Sequence, residues 1–321
     1  MKKIIAFLLV IVFSFGAVAI GLRIGFKDVF REQGPDAALI MSEDDYFTHK
    51  DFKSLFGIAY SLFSKGEFSR AAGLVDKLLY QEEWVLDEKT KANCIYLKGL
   101  IAKKHGRYPE AVSYLFRAKD LYQKLDLQAN LYRVNLVTAR IYLSLGDLEV
   151  VENILDESLT IAEQNEINLH SYYRLWSDIA FTNSEWQLAL DFAEKAYDEA
   201  LLSGDVSFTA DSLSDMGFFH MLLGNFEEGY QLTLDAQRQI LEIGDTDKYY
   251  FNLVNLVIYE RCSGNKIPNS SISVKDSIQN RLSEQSDDDL IFLQEFVLNF
   301  DCNSIQQGAR RKGEANPSPP D

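Results

Sequence analysis

The stretch IYLKGLIAKKHGRYPEAVSYLFRAKDL, residues 95–121, decides the fold. Apolar residues recur at i, i+3 and i+4 on both sides of Gly106, which is the period of two amphipathic helices. Gly106 separates them. Lacking a Cβ, it can take positive φ, which ends one helix at little steric cost. Gly99 leaves the first helix open to a close neighbour, and Ala111 and Ala118 fall on the inner face of the second. The stretch therefore predicts an antiparallel helix pair.

Working outward, the turn glycine serves as a ruler. Gly66, Gly106, Gly146, Gly224 and Gly264 lie on one lattice of forty residues, and Ser184 fills the missing node two residues early. Each node joins two apolar helical stretches, as in YSLFSKG-EFSRA, IYLSLG-DLEVV and IAFTNS-EWQLA. Small residues stand seven before it (Ala59, Gly99, Ala139, Ser177, Gly217). Others stand five after it (Ala71, Ala111, Ala189, Gly229) and twelve after it (Ala118, Ala196, Ala236). Absent side chains at these places let two helix backbones approach. Phe68, Tyr108, Leu148, Trp186 and Phe226, two after each node, are suited to plug the seam between neighbours. Self-similarity at a fixed period marks a stacked array.

This spacing resembles the tetratricopeptide repeat, in its longer variant of about forty residues. The resemblance covers roughly residues 50–264. It departs where the usual Pro after the second helix is absent, where Leu78, Val151 and Ser158 replace family alanines, and where Val257 stands in place of a small residue. It implies an all-α, right-handed solenoid of stacked antiparallel helix pairs, with the first helix of each pair on the concave face. It also implies a protein-interaction role.

The remaining chain frames the array at 49–264. Residues 1–22, MKKIIAFLLVIVFSFGAVAIGL, place Lys2 and Lys3 before an uncharged, mostly apolar run. That is the layout of a secretory signal, and Ala17-Val18-Ala19 fits its cleavage rule. The run is also close to the length of a membrane span, so a retained anchor is the alternative. Both place the rest of the chain outside the cytoplasm, on the periplasmic side of the inner membrane. Residues 23–48 read as a linker. Pro268 and its serines break helix continuity, after which 265–303 would supply a displaced helix (Ser273 to Gln285) and an apolar capping helix (Leu290 to Phe300). Residues 304–321 are polar and Pro/Gly-rich, a disordered composition. Of three cysteines, Cys94 sits on a repeat helix. A Cys262–Cys302 bridge is open to the chain, but no pattern supports it. The odd count leaves at least one thiol unpaired in a monomer.

No phosphate loop is present, and His49, His105, His170 and His220 are isolated, so the sequence offers no catalytic constellation, metal site or cofactor motif. The net charge of −16 argues against nucleic acid as a partner. Against that acidic background, the positions that the resemblance directs into the groove are basic and aromatic. They include Phe56, Tyr60, Tyr96, Lys103, Arg133, Arg140, Arg174, Phe181 and Phe218. One reading is a cradle for a protein or peptide carrying acidic groups and an apolar anchor, because Arg suits bidentate carboxylate contacts. The other is that the aromatics pack between repeats and the cations solvate helix faces. The Lys and Asn set of the family's two-carboxylate clamp is not reproduced. The expected function is a non-catalytic scaffold. Self-assembly through the terminal helix, and a ligand sensor or enzyme with an unrecognised site, are the alternatives. The membrane enters through residues 1–22 if they are retained, and the oligomeric state is left open.

Overall fold

A computed structural model describes residues 52–80, 86–243 and 246–265, together with Cys302. Residues 1–22, the linker 23–48, the displaced and capping helices and the tail fall outside the described residues, Cys302 excepted. All described elements are helices: α1 (Phe52–Ser64), α2 (Phe68–Tyr80), α3 (Glu88–Lys104), α4 (Tyr108–Lys124), α5 (Gln128–Ser144), α6 (Leu148–Gln164), α7 (His170–Thr182), α8 (Trp186–Ser203), α9 (Val206–Leu222), α10 (Phe226–Ile243) and α11 (Thr246–Ser263). No described helix is long and apolar enough to cross a membrane.

The two helices of each pair pack mainly on one another, and successive pairs meet through consecutive helices, least between α6 and α7. In addition α1 approaches α3, α3 approaches α5, α5 approaches α7 and α9 approaches α11, whereas the even-numbered helices do not meet to that degree. Closer spacing along one row than the other curves the stack. The odd-numbered helices form its inner wall. The result is the α-solenoid that the forty-residue spacing implies.

The turns inside each pair are built alike. Gly66, Gly106, Gly146 and Gly224 have φ of 74°, 64°, 77° and 87°. The node N–H reaches back three residues and the following N–H reaches back five, as in Gly106 to Lys103 at 2.9 Å and Arg107 to Ala102 at 3.0 Å. That pair of bonds satisfies carbonyls the helix end would leave bare. Ser184 makes the same two bonds with φ of 61°. A second set of left-handed residues sits between pairs: Asp126 and Glu166, both at φ 52°, and Gly204 at 65°. These turns escaped the sequence reading because two of the three carry no glycine.

The small residues mark where backbones touch. Ala59, Ala71, Ala111, Ala118, Ala139, Ala189, Ala196 and Ala236 are fully buried. A Cβ on Gly99 would lie 3.0 Å from Leu115. Gly217 and Gly229 face each other across α9 and α10, and a Cβ on either would come within 3 Å of the partner's carbonyl oxygen. Ser177 keeps the approach by donating its hydroxyl to the Ala189 carbonyl at 2.8 Å. Phe68, 2% exposed, meets His105 of the next unit edge-on at 5.7 Å and plugs that seam. Leu148 does not plug its own: it stays 37% exposed.

Cys262 of α11 is bonded to Cys302, with Cα atoms 5.3 Å apart. The pairing that no sequence pattern supported is thus present, and it pins residue 302 to the last described helix. Cys94 is free and buried, and burial pushes its thiol up to about 12.

Two alanine substitutions test the contact geometry. Gly229→Ala is expected to destabilise the chain by about 1–3 kcal/mol, because its new Cβ meets backbone that cannot move aside. Gly73→Ala, with nothing within 4 Å of the new Cβ, is expected to stabilise by about 0.5–1 kcal/mol through helix propensity alone. Chemical denaturation of both variants checks the pair.

Candidate functional site

The inner wall is where the sequence placed its candidate residues, and the structure divides them into two zones. The first zone spans α1, α3 and α5. Phe56 and Tyr60 follow one another along α1 with tilted rings whose centroids are 6.2 Å apart, both half-buried against the first core cluster. Tyr96 of α3 is half-buried and meets Tyr122 edge-on at 6.5 Å. The Tyr122 hydroxyl donates to Asn93 Oδ1 at 2.9 Å. Burial pushes the Tyr96 phenol above its usual range. The charges of Arg133 and Arg140 act on it in the opposite sense, and Tyr60 lies within the same electrostatic reach. The structure therefore gathers Tyr60, Tyr96, Arg133 and Arg140 into one neighbourhood. Lys103 lies in the last turn of α3, where its charge suits the helix dipole.

The second zone spans α7, α9 and α11, and here the cations are already engaged. Arg140 reaches forward from α5 to Asp178 with Nε at 3.1 Å and Nη2 at 2.9 Å. Arg174 donates Nε to Asp215 at 2.6 Å and sets Nη1 3.0 Å from Asp211. Lys248 closes on Asp211 from α11 at 2.6 Å and donates to the Ser207 carbonyl at 3.1 Å. A run of ion pairs thus links α5, α7, α9 and α11, each spanning about one repeat. Burial would raise the Asp211 carboxyl, but Arg174 and Lys248 overcome it and hold it down at about 2. Asp215 lies above its ordinary value, because burial and neighbouring Asp178 and Asp211 outweigh Arg174.

Phe181 and Phe218 meet edge-on at 5.4 Å, with Phe219 beside both. Phe218 joins the core clusters on either side of it. For these two rings the geometry is that of packing between units. His170 is buried, stacked on Phe208 at 4.2 Å and 3.2 Å from the Ser212 hydroxyl. Burial first, then Arg174, drives its pKa down to about 3, so it stays neutral.

Arg133 stands apart. It is exposed, and among the described residues it has no carboxylate partner. Asp215 and Lys248 were missed as partners in the sequence. A signal was there: Arg140 and Arg174 each have a carboxylate about one period downstream, at separations of 38 and 41 residues.

No family model matches the sequence, and no curated protein matches it. Solved structures do. A Rap protein complexed with Competence and Sporulation Factor superposes with a TM-score of 0.64 at 16% identity, covering 88% of this chain and 80% of that one. The Rap conjugation gene regulator of plasmid pLS20, in complex with the Phr* peptide, gives 0.57 at 14% identity, covering 86% and 74%.

The ion pairs predict a ranked response. Arg174→Met leaves part-buried Asp215 without its cation and Asp211 with Lys248 alone, and is expected to cost about 2–3 kcal/mol. Arg140→Met, a pair more than a third exposed on both sides, is expected to cost about 1 kcal/mol or less. Because the folded Asp211 value is depressed, its contribution is complete above about pH 4. It is lost as pH falls through about 2. The stability gap between the wild type and Asp211→Asn, followed by thermal melts, should therefore narrow across that acid window. Taken with the spacing of its turns and small residues, the chain has the helical-repeat fold of tetratricopeptide type.

Proposed function

We propose that this chain is a non-catalytic scaffold on the extracytoplasmic side of a membrane, holding a peptide or protein partner along its inner wall. The observation that carries the binding site is the contrast between Arg133 and its neighbours. Arg140 and Arg174 are bonded to carboxylates of the next unit, while Arg133 is exposed, has no carboxylate partner among the described residues and acts electrostatically on the Tyr96 phenol. An exposed planar cation suits a carboxylate on the partner, and Phe56 and Tyr60 of α1 supply apolar surface on the same wall. The partner's acidic group therefore docks at α1, α3 and α5, and the ion-paired half of the wall serves to fix the curve. The peptide reading draws support from the two Rap structures, which were solved with a factor and a peptide bound.

Export is supported by two independent features. Residues 1–22 carry the charge and apolar order of a signal or anchor. Structural disulfides such as Cys262–Cys302 persist in oxidising compartments. The same bond favours a cap over self-assembly for the terminal segment, because it returns residue 302 to its own array.

Panning short peptides against the chain tests the site. Acidic peptides should be enriched, with affinity falling as salt rises, and Arg133→Glu should weaken them at least tenfold by placing like charges together. Equal enrichment by the variant would remove the proposed site. Thiol titration of the unreduced, denatured chain tests export. One reactive thiol, Cys94, is expected; three would mean a reduced chain.

A further inference from the structure

A second site lies away from the inner wall. The helices α6 and α7 are the most loosely apposed of consecutive helices, and a pocket of about 370 Å³ opens there. Its walls are Leu159 and Glu163 of α6, Tyr172, Tyr173 and Trp176 of α7, and Phe192 of α8. Two of the three contributing helices belong to the outer row, which separates this pocket from the Arg133 neighbourhood. Its volume is that of a small-molecule site.

The lining is mostly aromatic. Phe192 lies nearly parallel to Trp176 at 5.8 Å and to Tyr173 at 6.5 Å, while Tyr172 presents its edge to Trp176 at 6.4 Å. The faces of such rings are electron-rich and attract organic cations, Trp most strongly. The acid of the wall is Glu163, a carboxylate at the rim. A second carboxylate, Glu199, accepts the backbone N–H of Leu169, another wall residue, at 3.0 Å. The molecule already answers to this field with a cation of its own. The Lys195 ammonium lies 5.1 Å from the Phe192 centroid and 5.9 Å from that of Tyr173. Lys195 is exposed and is not part of the wall, so it occupies the site's margin as a tethered competitor.

From the four rings, the rim carboxylate and the lysine held against them, we infer that the seam pocket binds a small organic cation with a methylated ammonium head. A trimethylammonium group fits the chemistry better than a bare ammonium. It is weakly hydrated, so little is lost when aromatic faces replace its water. Glu163 supplies the countercharge without enclosing it.

Choline is the probe, and its neutral isostere, with a tert-butyl group in place of trimethylammonium, is the control. Ligand-observed NMR titration of the full chain is expected to show saturable choline binding and at least tenfold weaker binding of the isostere. Glu163→Gln should weaken choline roughly threefold to tenfold, and Lys195→Met should strengthen it by a similar factor, because it removes the internal competitor. Both side chains are exposed, so neither change threatens the fold. Absence of saturable binding, equal binding of the isostere, or a Lys195→Met variant no tighter than wild type would overturn the inference. None of those results bears on the Arg133 site, which rests on other residues.

Discussion

The whole molecule depends on how closely two helix backbones can approach inside each pair. At Gly217 and Gly229 there is no room for a methyl group, and at Gly99 there is barely room. Once that distance is set, the Leu, Ile and Tyr side chains around it are pressed into contact with the next unit, and the core runs on through successive clusters. A solenoid is stabilised by such neighbour contacts and by no long-range ones. Local spacing is therefore enough to specify it.

That explains why so much of the architecture is legible in a single sequence. Backbone contact demands small residues, turns favour glycine, and both recur at a fixed interval. Where chemistry allows a substitute, legibility drops. Ser184 takes the left-handed conformation that its glycine counterparts take, and Ser177 replaces an alanine by bonding to the Ala189 carbonyl. Asp126 and Glu166 turn the chain between pairs without announcing it. Leu148 shows the opposite failure: a residue of the right type at the right spacing that stays in solvent.

The inner wall was less legible than the fold because spacing reports which face a side chain occupies but not what it touches there. Arg133, Arg140 and Arg174 stand at different repeat positions, and the spacing assigns all three alike to the inner wall. Their partners distinguish them there: Asp178 for Arg140, Asp211 and Asp215 for Arg174, and none of these for Arg133. The Cys262–Cys302 bond was hidden for the same reason, since two cysteines carry no signal of their proximity until the segment between them is folded.

That bond has one more consequence. Its two cysteines are 40 residues apart, one period of the array, so it ties the position after the last unit to the last unit itself. Linear arrays ordinarily come undone from their ends, where a unit has one neighbour instead of two. Among the described residues, the α11 end is lashed and the α1 end carries no such tie. Unravelling is thus given a direction, starting at α1 and α2. The half of the wall that carries Arg133 is then the half that yields first, while the ion-paired half stays shut.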